Sequence, residues 1–541
     1  MIATHMNKFP ARLMLAAALA SALPATPAWA QTAPSASAIR LPALGDAAGE
    51  DFTVGTERRL GEQIMAELRR DPDYLDDPLL LDYVQSLWQP LLAAARLRGD
   101  INAETDTGLA WETFLVRDRA VNAFALPGGF VGVHLGLIAL TSSRDELAAV
   151  LAHELSHVTQ RHIARSITSS NRQSLVGLAA LVLGVLAASR SGNSDATQAV
   201  VVGSQAAMIQ GQLNFSRDME READRIGWGV HSGAGFAAVG VASMFEKLEQ
   251  ASRLNDNGAF PYLRSHPLTV ARIGEARTRV EAAPGPRGNA QASLDHLLMQ
   301  ARARVLMDSG VPSLRRLQSQ DAPAPGAAPA ERAAALYASA LASLQLRDAA
   351  RALAAVDVAT PLARNAAAGD ARAALALALL RAQALQVNGQ AAQAAALLAT
   401  LAPVAAGSPR PLLLARAQAA VEAPPGADAA ALRASTEALQ TWVAEHHGDA
   451  TAWSLLAQGA GALGLHLRAL RAQAEARAAL GDLSGAIDRL RAAQRQAQNS
   501  SAAPDFIEAS IIDARLRNLS AQRRAQLAEA RGERGRQEPA Q

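Results

Sequence analysis

The segment His153-Glu154-Leu155-Ser156-His157 lies within a predicted long helix and decides both the fold and the chemistry of this sequence. In a helix, residues i and i+4 lie on one face, so the imidazoles of His153 and His157 are one turn apart. This spacing suits a Zn²⁺ ion. Glu154 projects about 100° away from His153, close enough to hold a water molecule without taking a coordination position. The pattern predicts a zinc site in which Glu154 is the proton acceptor.

The start of that helix has its own sequence signal. Ser143, with Glu146 three residues later, predicts a capping box. An apolar stripe follows and predicts that the helix continues to about Ser166.

The motif needs a third metal ligand, and Glu220 can supply a carboxylate from a second predicted helix. Asp224 lies one turn further on and can accept a hydrogen bond from a ligand imidazole. Glu222 points elsewhere on this helix, and we interpret it as a solvated surface carboxylate. The sequence contains no cysteine, so every metal ligand must be His, Asp or Glu.

The segment before the motif changes period. Residues from about Phe52 to Arg117 follow a helical pattern. Val121 to His134 (VNAFALPGGFVGVH) is rich in Val and Phe and contains Pro127-Gly128-Gly129, which predicts two short strands around a tight turn.

These motifs together resemble metallopeptidase family forty-eight, which includes the CAAX prenyl proteases and HtpX. The resemblance rests on HELSH, on E-x-x-A-D at Glu220 to Asp224, and on the upstream NAFALPGG. It covers about Phe52 to Arg277 and, loosely, Glu331 to about Gln498. It is greatest to the periplasmic members of the family that enhance β-barrel assembly and carry tetratricopeptide repeats.

The resemblance implies a gluzincin fold with one Zn²⁺ per chain between the motif helix and the Glu220 helix. NAFALPGG would then form an edge strand and turn beside the cleft, to which an extended substrate can add. The alternative for this segment is an ordinary hairpin. The residues of the expected substrate strand are Asn122, Ala123, Phe124, Gly128 and Gly129.

His266 matches a position at which such proteins bring a histidine to the metal. Three interpretations stay open: a fourth ligand that keeps the enzyme latent, a donor to the tetrahedral oxyanion, or a surface histidine before a proline. Arg272 either stabilises the oxyanion or forms a surface salt bridge. His134 is interpreted as a strand or turn residue. His162 is rotated about 140° from His157 on a continuous helix, so we exclude it from the metal face.

Residues 1–30 are expected to be a signal peptide cleaved after Ala30, followed by a linker at 31–50. The apolar run of the expected signal peptide, Leu13 to Leu23, is about half the length of a membrane-spanning helix. The alternative is a retained membrane anchor. The runs Leu175 to Ala188 and Ala196 to Ile209 predict a helical hairpin that serves as a lid or core element, with membrane contact as the alternative.

A Pro/Ala-rich linker at 319–330 marks the clearest domain boundary. Beyond it, turn glycines at 389, 464 and 481 are each followed five residues later by Ala394, Ala469 and Ala486. The last two of these glycine–alanine patterns are 17 residues apart, half of the 34-residue period of tetratricopeptide repeats. This spacing predicts tetratricopeptide-like helix pairs at 331–520, and the alternative is a plain helical bundle. The charged residues 521–541 are expected to form a flexible tail.

The pattern predicts a mainly α protein with a small β-sheet in its N-terminal domain (51–318) and an α-helical tetratricopeptide-like solenoid after it. The resemblance implies that the N-terminal domain is a gluzincin-type zinc metalloprotease. The net charge of +2 and the 19% of charged residues give no field that would favour nucleic acid as a partner.

The resemblance implies a periplasmic zinc metalloendopeptidase that degrades misfolded clients during outer-membrane β-barrel assembly and also acts as a chaperone. The expected partners are unfolded or misassembled proteins and the β-barrel assembly machinery, with peripheral membrane contact. The alternatives are a repeat-based chaperone or adaptor whose zinc site is latent or structural, and a membrane-embedded peptidase anchored by Leu175 to Ala188.

Overall fold

The computed structural model describes residues 52–169, 216–254, 260–283, 293–321, 326–401, 408–424, 428–499 and 505–537. The expected signal peptide, the linker at 31–50 and the apolar runs between 175 and 209 lie outside these residues. None of the described helices is long and apolar enough to cross a membrane.

The N-terminal half of the described chain is mainly helical and contains one small β-sheet. Its elements are α1 (Val54–Leu68), β1 (Tyr74–Leu75), α2 (Pro78–Arg98), α3 (Ala103–Gly108), β2 (Glu112–Val116), β3 (Ala123–Leu126), β4 (Phe130–His134), α4 (Leu135–Leu140), α5 (Arg144–Thr159), α6 (His162–Ser169), α7 (Arg217–Gly233), α8 (Val239–Leu254), α9 (Pro261–Ser265), α10 (Val270–Ala282), α11 (Leu294–Leu306) and α12 (Val311–Gln318).

The strands form one sheet in the order β1-β2-β4-β3, in which β2 and β4 are parallel and the other two pairs are antiparallel. Strands β3 and β4 are the two predicted from VNAFALPGGFVGVH, and β3 is at the edge of the sheet. Gly128 and Gly129 in the turn between them have φ values of 81° and 83°, a region that favours glycine.

Strands β1 and β2 correct the expectation that Phe52 to Arg117 is helical throughout. Strand β2 is central in the sheet, and its middle residues are buried whichever face they point to. A short buried strand of this kind shows no period of two, so the surrounding helical pattern concealed it.

Helix α5 carries the HELSH motif and begins where the sequence predicts, because the Ser143 hydroxyl accepts a hydrogen bond from the Glu146 amide. The other half of the capping box is shifted by one residue, since the Glu146 carboxylate accepts from the amide of Ser142. The helix is buried along nearly all of its length between β3 and helices α2, α7 and α8. It ends at Thr159, and not near Ser166, because Arg161 has a φ of 50°.

The C-terminal half consists of ten further helices among the described residues, each packed against the next. They are α13 (Pro329–Gln345), α14 (Ala349–Ala366), α15 (Ala371–Val387), α16 (Ala391–Leu401), α17 (Arg410–Glu422), α18 (Ala429–Glu445), α19 (Ala450–Ala462), α20 (His466–Ala479), α21 (Leu483–Asn499) and α22 (Phe506–Gln537). The mainly α fold class, with a metallopeptidase-like half and a helical half, is confirmed.

The predicted turn glycines lie between successive helices. Gly389, Gly464 and Gly481 have φ values of 77°, 75° and 79°. Each is followed by one of the expected small residues, which are buried in the next helix: Ala394, Ala469 and Ala486. The spacing therefore gave the helix pairs correctly, while their assignment as tetratricopeptide repeats stays a prediction.

The two halves are joined by polar contacts around the start of α2. Arg302 of α11 donates to both carboxylate oxygens of Asp77 at 2.7 and 2.6 Å and to the hydroxyl of Tyr337 in α13 at 3.0 Å, and Arg410 of α17 donates to Asp76 at 2.7 Å. Helix α2 in turn packs against α5, so the helical half is connected to the motif helix. At the far end, α22 continues to Gln537 where a flexible tail was expected from Ala521.

Candidate metal centre

Four side chains from three parts of the fold converge in the interior of the N-terminal half. His153 and His157 come from α5, Glu220 from α7, and His266 from the residue after α9. One donor atom from each lies within 4.8 Å of the other three. Exposure of all four residues is 4% or less, so the cluster is enclosed.

The distances within the cluster fit a tetrahedral ion. Four donors about 2.0–2.1 Å from zinc form a tetrahedron with edges of about 3.3–3.4 Å. Nε2 of His153 lies 3.0 Å from Nε2 of His157, 3.3 Å from Nδ1 of His266 and 3.5 Å from Glu220 Oε2. Glu220 Oε1 lies 3.5 Å from His157 Nε2 and 2.9 Å from His266 Nδ1. The residues present therefore fit a metal ion.

The electrostatics of the cluster also favour a cation. Burial on its own would lower the pKa of His153, but the carboxylates of Asp224 and Glu220 outweigh it and raise this pKa to about 10. The two carboxylates therefore stabilise positive charge on the His153 imidazole. A ligand imidazole must be neutral, so metal binding would be coupled to proton release.

The far nitrogen of His153 contacts the carboxylate that the sequence proposed as its partner. Nδ1 of His153 is 3.0 Å from Oδ1 of Asp224. Asp224 also accepts two hydrogen bonds from Arg272, at 2.6 and 2.8 Å. Burial alone would raise the pKa of Asp224, but the hydrogen bonds from His153 and Arg272 lower it to about 2. Asp224 is therefore an ionised anchor that directs Nε2 of His153 toward the metal position.

The far nitrogen of His157 contacts a residue that sequence reasoning excluded. Nδ1 of His162 lies 2.9 Å from Nδ1 of His157, and Nε2 of His162 lies 3.0 Å from Oε2 of Glu222. Glu222 also accepts from Arg165 at 2.8 Å and is only partly exposed, so its interpretation as a solvated surface carboxylate is wrong. The rotation of 140° assumed a continuous helix, whereas the positive φ of Arg161 breaks it between the two histidines.

Glu154 lies beside the cluster and is itself fully buried. Its Oε2 accepts a hydrogen bond from the amide of Ala125 at 3.1 Å, and its Oε1 is 3.6 Å from Nε2 of His266. Burial raises the pKa of Glu154 above its ordinary value. A raised pKa makes the carboxylate a better proton acceptor at neutral pH. Ala125 was not singled out from the sequence, although it lies within NAFALPGG.

His266 and Arg272 do not lie at the surface. His266 is 1% exposed and contributes to the donor cluster, so its interpretation as a surface histidine is wrong. Arg272 is 6% exposed and also pairs with Glu220 at 2.9 Å, which excludes the surface salt bridge. The structure places Arg272 against the two carboxylates, and an oxyanion role for either residue stays a prediction.

The expected substrate strand lies next to the cluster. Ala123 and Phe124 belong to the edge strand β3, and the amide of Ala125 in that strand points to Glu154. The Asn122 side chain is close to His134, at 3.4 Å, which keeps His134 in the sheet and outside the donor cluster.

A helix with HExxH, a glutamate on a second helix and a buried base beside the donors define the metallopeptidase class. Residues 83–280 match the family model of Peptidase family M48. Over this segment the chain is similar to that family, and the recognition of the family from its motifs is confirmed. The match implies a bound metal.

Three relatives carry names that specify a protease. The chain is 36% identical over 301 residues to the putative beta-barrel assembly-enhancing protease of Vibrio cholerae, covering 56% of this chain and 58% of that protein. It is 32% identical over 278 residues to the beta-barrel assembly-enhancing protease of Escherichia coli, covering 51% and 53%. It is 29% identical over 241 residues to the mitochondrial metalloendopeptidase OMA1 of Schizosaccharomyces pombe, covering 41% and 60%.

The chain therefore spans just over half the length of the first two relatives. The likeness supports the peptidase domain directly.

Proposed function

We propose that this protein is a zinc-dependent endopeptidase that acts on unfolded or misassembled proteins. The observation that carries the proposal is the position of Glu154, a buried carboxylate beside four converging metal donors. His153, His157 and Glu220 would hold the zinc, with His266 at the fourth corner. Zinc bound there would supply Lewis-acid activation of a water molecule and of the scissile carbonyl.

Glu154 is the residue placed to move the proton. The Ala125 amide holds its Oε2, while Oε1 has no hydrogen-bond partner among the described residues. Glu154 accepts the proton of the attacking water and then passes it to the leaving amine. No covalent bond between enzyme and substrate forms in this sequence of steps.

The substrate in this proposal is an extended polypeptide paired to β3. This strand is at the edge of the sheet, and one of its amides already faces the base. A chain that adds to that edge would bring its carbonyl groups past Glu154, with its main chain held by hydrogen bonds. The segment from Asn122 to Gly129 would serve as this template.

The relatives and the N-terminal sequence support the cellular role that we propose. The relatives from Vibrio cholerae and Escherichia coli are among those named as β-barrel assembly-enhancing proteases. We place the protein in the periplasm after cleavage of its signal peptide, with outer-membrane β-barrels as clients and their assembly machinery as partner. The stacked helices of the C-terminal half would select or deliver these clients.

The position of His266 favours a second candidate function. Its Nδ1 would supply a fourth metal ligand, at the position that a catalytic zinc site keeps open for water. A site closed in this way is latent or structural, and the helical half then acts as a chaperone or adaptor. Displacement of His266 would convert this state into the active one.

The two candidates are separated by zinc content and by cleavage of casein or an unfolded β-barrel. We expect wild type to bind one zinc per chain, Glu154→Gln to keep zinc and lose cleavage, and Glu220→Ala to lose zinc affinity. His266→Ala should cleave faster than wild type if His266 closes the site. Glu146→Gln is the matched control, because it changes another buried glutamate of α5 whose carboxylate binds Ser142 and Lys247.

Wild type that binds no zinc and cleaves nothing would contradict the peptidase proposal. The main role in the cell is tested separately, by rescue of outer-membrane protein assembly in cells that lack this protein. Equal rescue by wild type and Glu154→Gln would favour the adaptor, whereas rescue by wild type alone would favour proteolysis.

A further inference from the structure

The helix break after the HELSH motif creates a second contact to a metal ligand. Helix α5 ends at Thr159, Arg161 has a φ of 50°, and α6 starts again at His162. The break turns the His162 ring back against the side of His157 that faces away from the donor cluster. A continuous helix would have carried His162 about 140° away.

The hydrogen bonds in this contact can run in only one direction. When Nε2 of His157 faces a metal, its neutral ring carries the proton on Nδ1 and donates it to Nδ1 of His162. His162 must then carry its proton on Nε2, which faces a carboxylate oxygen of Glu222 at 3.0 Å. Arg165 donates to the same oxygen at 2.8 Å and keeps Glu222 an acceptor. Each donor meets an acceptor along the whole chain of contacts.

We infer that His162 and Glu222 are positioning residues that fix the tautomer and the ring orientation of His157 for metal binding. This inference rests on the zinc site of the proposed function. The metal would be held from two sides, by Asp224 through His153 and by Glu222 through His162 and His157. Partners of this kind commonly change metal affinity by about 10–100-fold.

Further contacts hold the break itself. The guanidinium of Arg161 donates to Oε2 of Glu57 at 3.2 Å and to the carbonyl of Phe52. Glu57 is 2% exposed, so this anchor lies inside the fold. A non-glycine residue at positive φ persists when its surroundings determine its conformation, and such residues are concentrated at functional sites. The turn that delivers His162 is thus fixed on both sides.

The test measures the zinc dissociation constant of the purified full chain by competition with a chelator. His162→Leu removes the contact, and we expect it to weaken zinc binding by about 10–100-fold. His162→Gln keeps the order of the contacts, because its carbonyl accepts from His157 and its amide donates to Glu222. We expect its affinity within about threefold of wild type, with Glu222→Ala intermediate between the two histidine variants.

His231→Leu is the matched control for loss of a buried histidine. His231 is 0% exposed and lies on α7 with Glu222, but its Nε2 is 3.1 Å from the Asp145 carbonyl and remote from the donors. Thermal unfolding of every variant without metal separates a loss of folding from a loss of affinity. If His162→Leu does not fold, Glu222→Ala carries the test alone.

Zinc affinities of His162→Leu and Glu222→Ala equal to that of wild type would overturn the inference and leave the peptidase proposal intact. An equal loss in His231→Leu would also overturn it, since general packing would then explain the effect. A wild type without zinc would contradict the proposed function itself, so the two failures are distinguishable.

Discussion

The two ligand imidazoles of α5 are supported in different ways. His153 contacts a carboxylate directly, and both Asp224 and its partner Arg272 have side chains that are at most 11% exposed. On the side away from the donor cluster, His157 contacts His162, and the series of contacts continues to Glu222 and Arg165, whose side chains are 30% and 28% exposed. We call Asp224 with Arg272 the first, direct support, and His162 with Glu222 and Arg165 the second support. The first is short and buried, while the second is longer and ends near solvent.

The difference teaches how local sequence creates each support. Asp224 is one turn from the ligand Glu220 on the same helix, so a single element delivers both groups. The second support needs side chains from two helices, His162 on α6 and Glu222 on α7. It also needs the break at Arg161 that separates α5 from α6. Only the first support therefore follows a regular spacing.

Cutting both supports should have the largest effect. The double variant Asp224→Leu with His162→Leu should weaken zinc binding by the product of the two single effects, about 10³–10⁴-fold. The two sets of supporting contacts have no side chain in common, although both ligands that they support lie beside Glu220, so we expect their free energies to add. Chelator competition on wild type, the two single variants and the double variant completes a double-mutant cycle for zinc affinity. A double variant no weaker than the weaker-binding single one would show that the two supports act as one unit.

The direct support should matter more when each is cut alone. Asp224→Leu leaves the buried Arg272 without its bidentate partner, and Arg272 still pairs with the ligand Glu220 at 2.9 Å. A buried cation needs a carboxylate partner, so Arg272 would depend on Glu220 alone and hold it away from the metal more firmly. We expect a zinc affinity loss of about 100-fold, near the upper end for such partners. A smaller loss than that of His162→Leu would reverse the comparison.

The sequence predicted the part of this site that obeys helical spacing. HELSH gave His153, His157 and Glu154, and E-x-x-A-D gave Glu220 with Asp224, because all of these positions depend on 3.6 residues per turn.

Other parts of the structure depend on contacts that a periodic pattern does not contain. His162 required a positive φ at a non-glycine residue, which Glu57 and Phe52 enforce from about a hundred residues away in the chain. Strand β2 was concealed for a related reason, since burial of its three central residues removes alternation. Both features are set by tertiary packing, which overrides local propensity.

Arg272 and Arg165 are the outer cations of the two supports, and removal of Arg272 should weaken zinc binding more than removal of Arg165. Arg272→Ala removes a buried donor to Asp224 and to Glu220, and we expect about a tenfold loss of zinc affinity. Because these contacts are enclosed, this loss should change little between low and high salt. A loss that disappears in high salt would show that Arg272 acts only through the long-range field.

Arg165→Ala should have the smallest effect on zinc affinity, and this effect should depend on salt, unlike that of Arg272→Ala. Arg165 and Glu222 are each about one third exposed, and exposed ion pairs contribute about 0.2–1 kcal/mol, which corresponds to less than about sixfold in affinity. Without Arg165, Glu222 still accepts from Nε2 of His162, so the direction of the contacts to His157 is kept. We expect a loss of about twofold at low salt that vanishes at high salt, because mobile ions screen a pair near the surface. Chelator competition at two salt concentrations measures both responses, with Arg272→Ala beside it as the enclosed counterpart. A large, salt-independent loss in Arg165→Ala would mean that the second support is as enclosed as the first, and the contrast between the two ligands would fail.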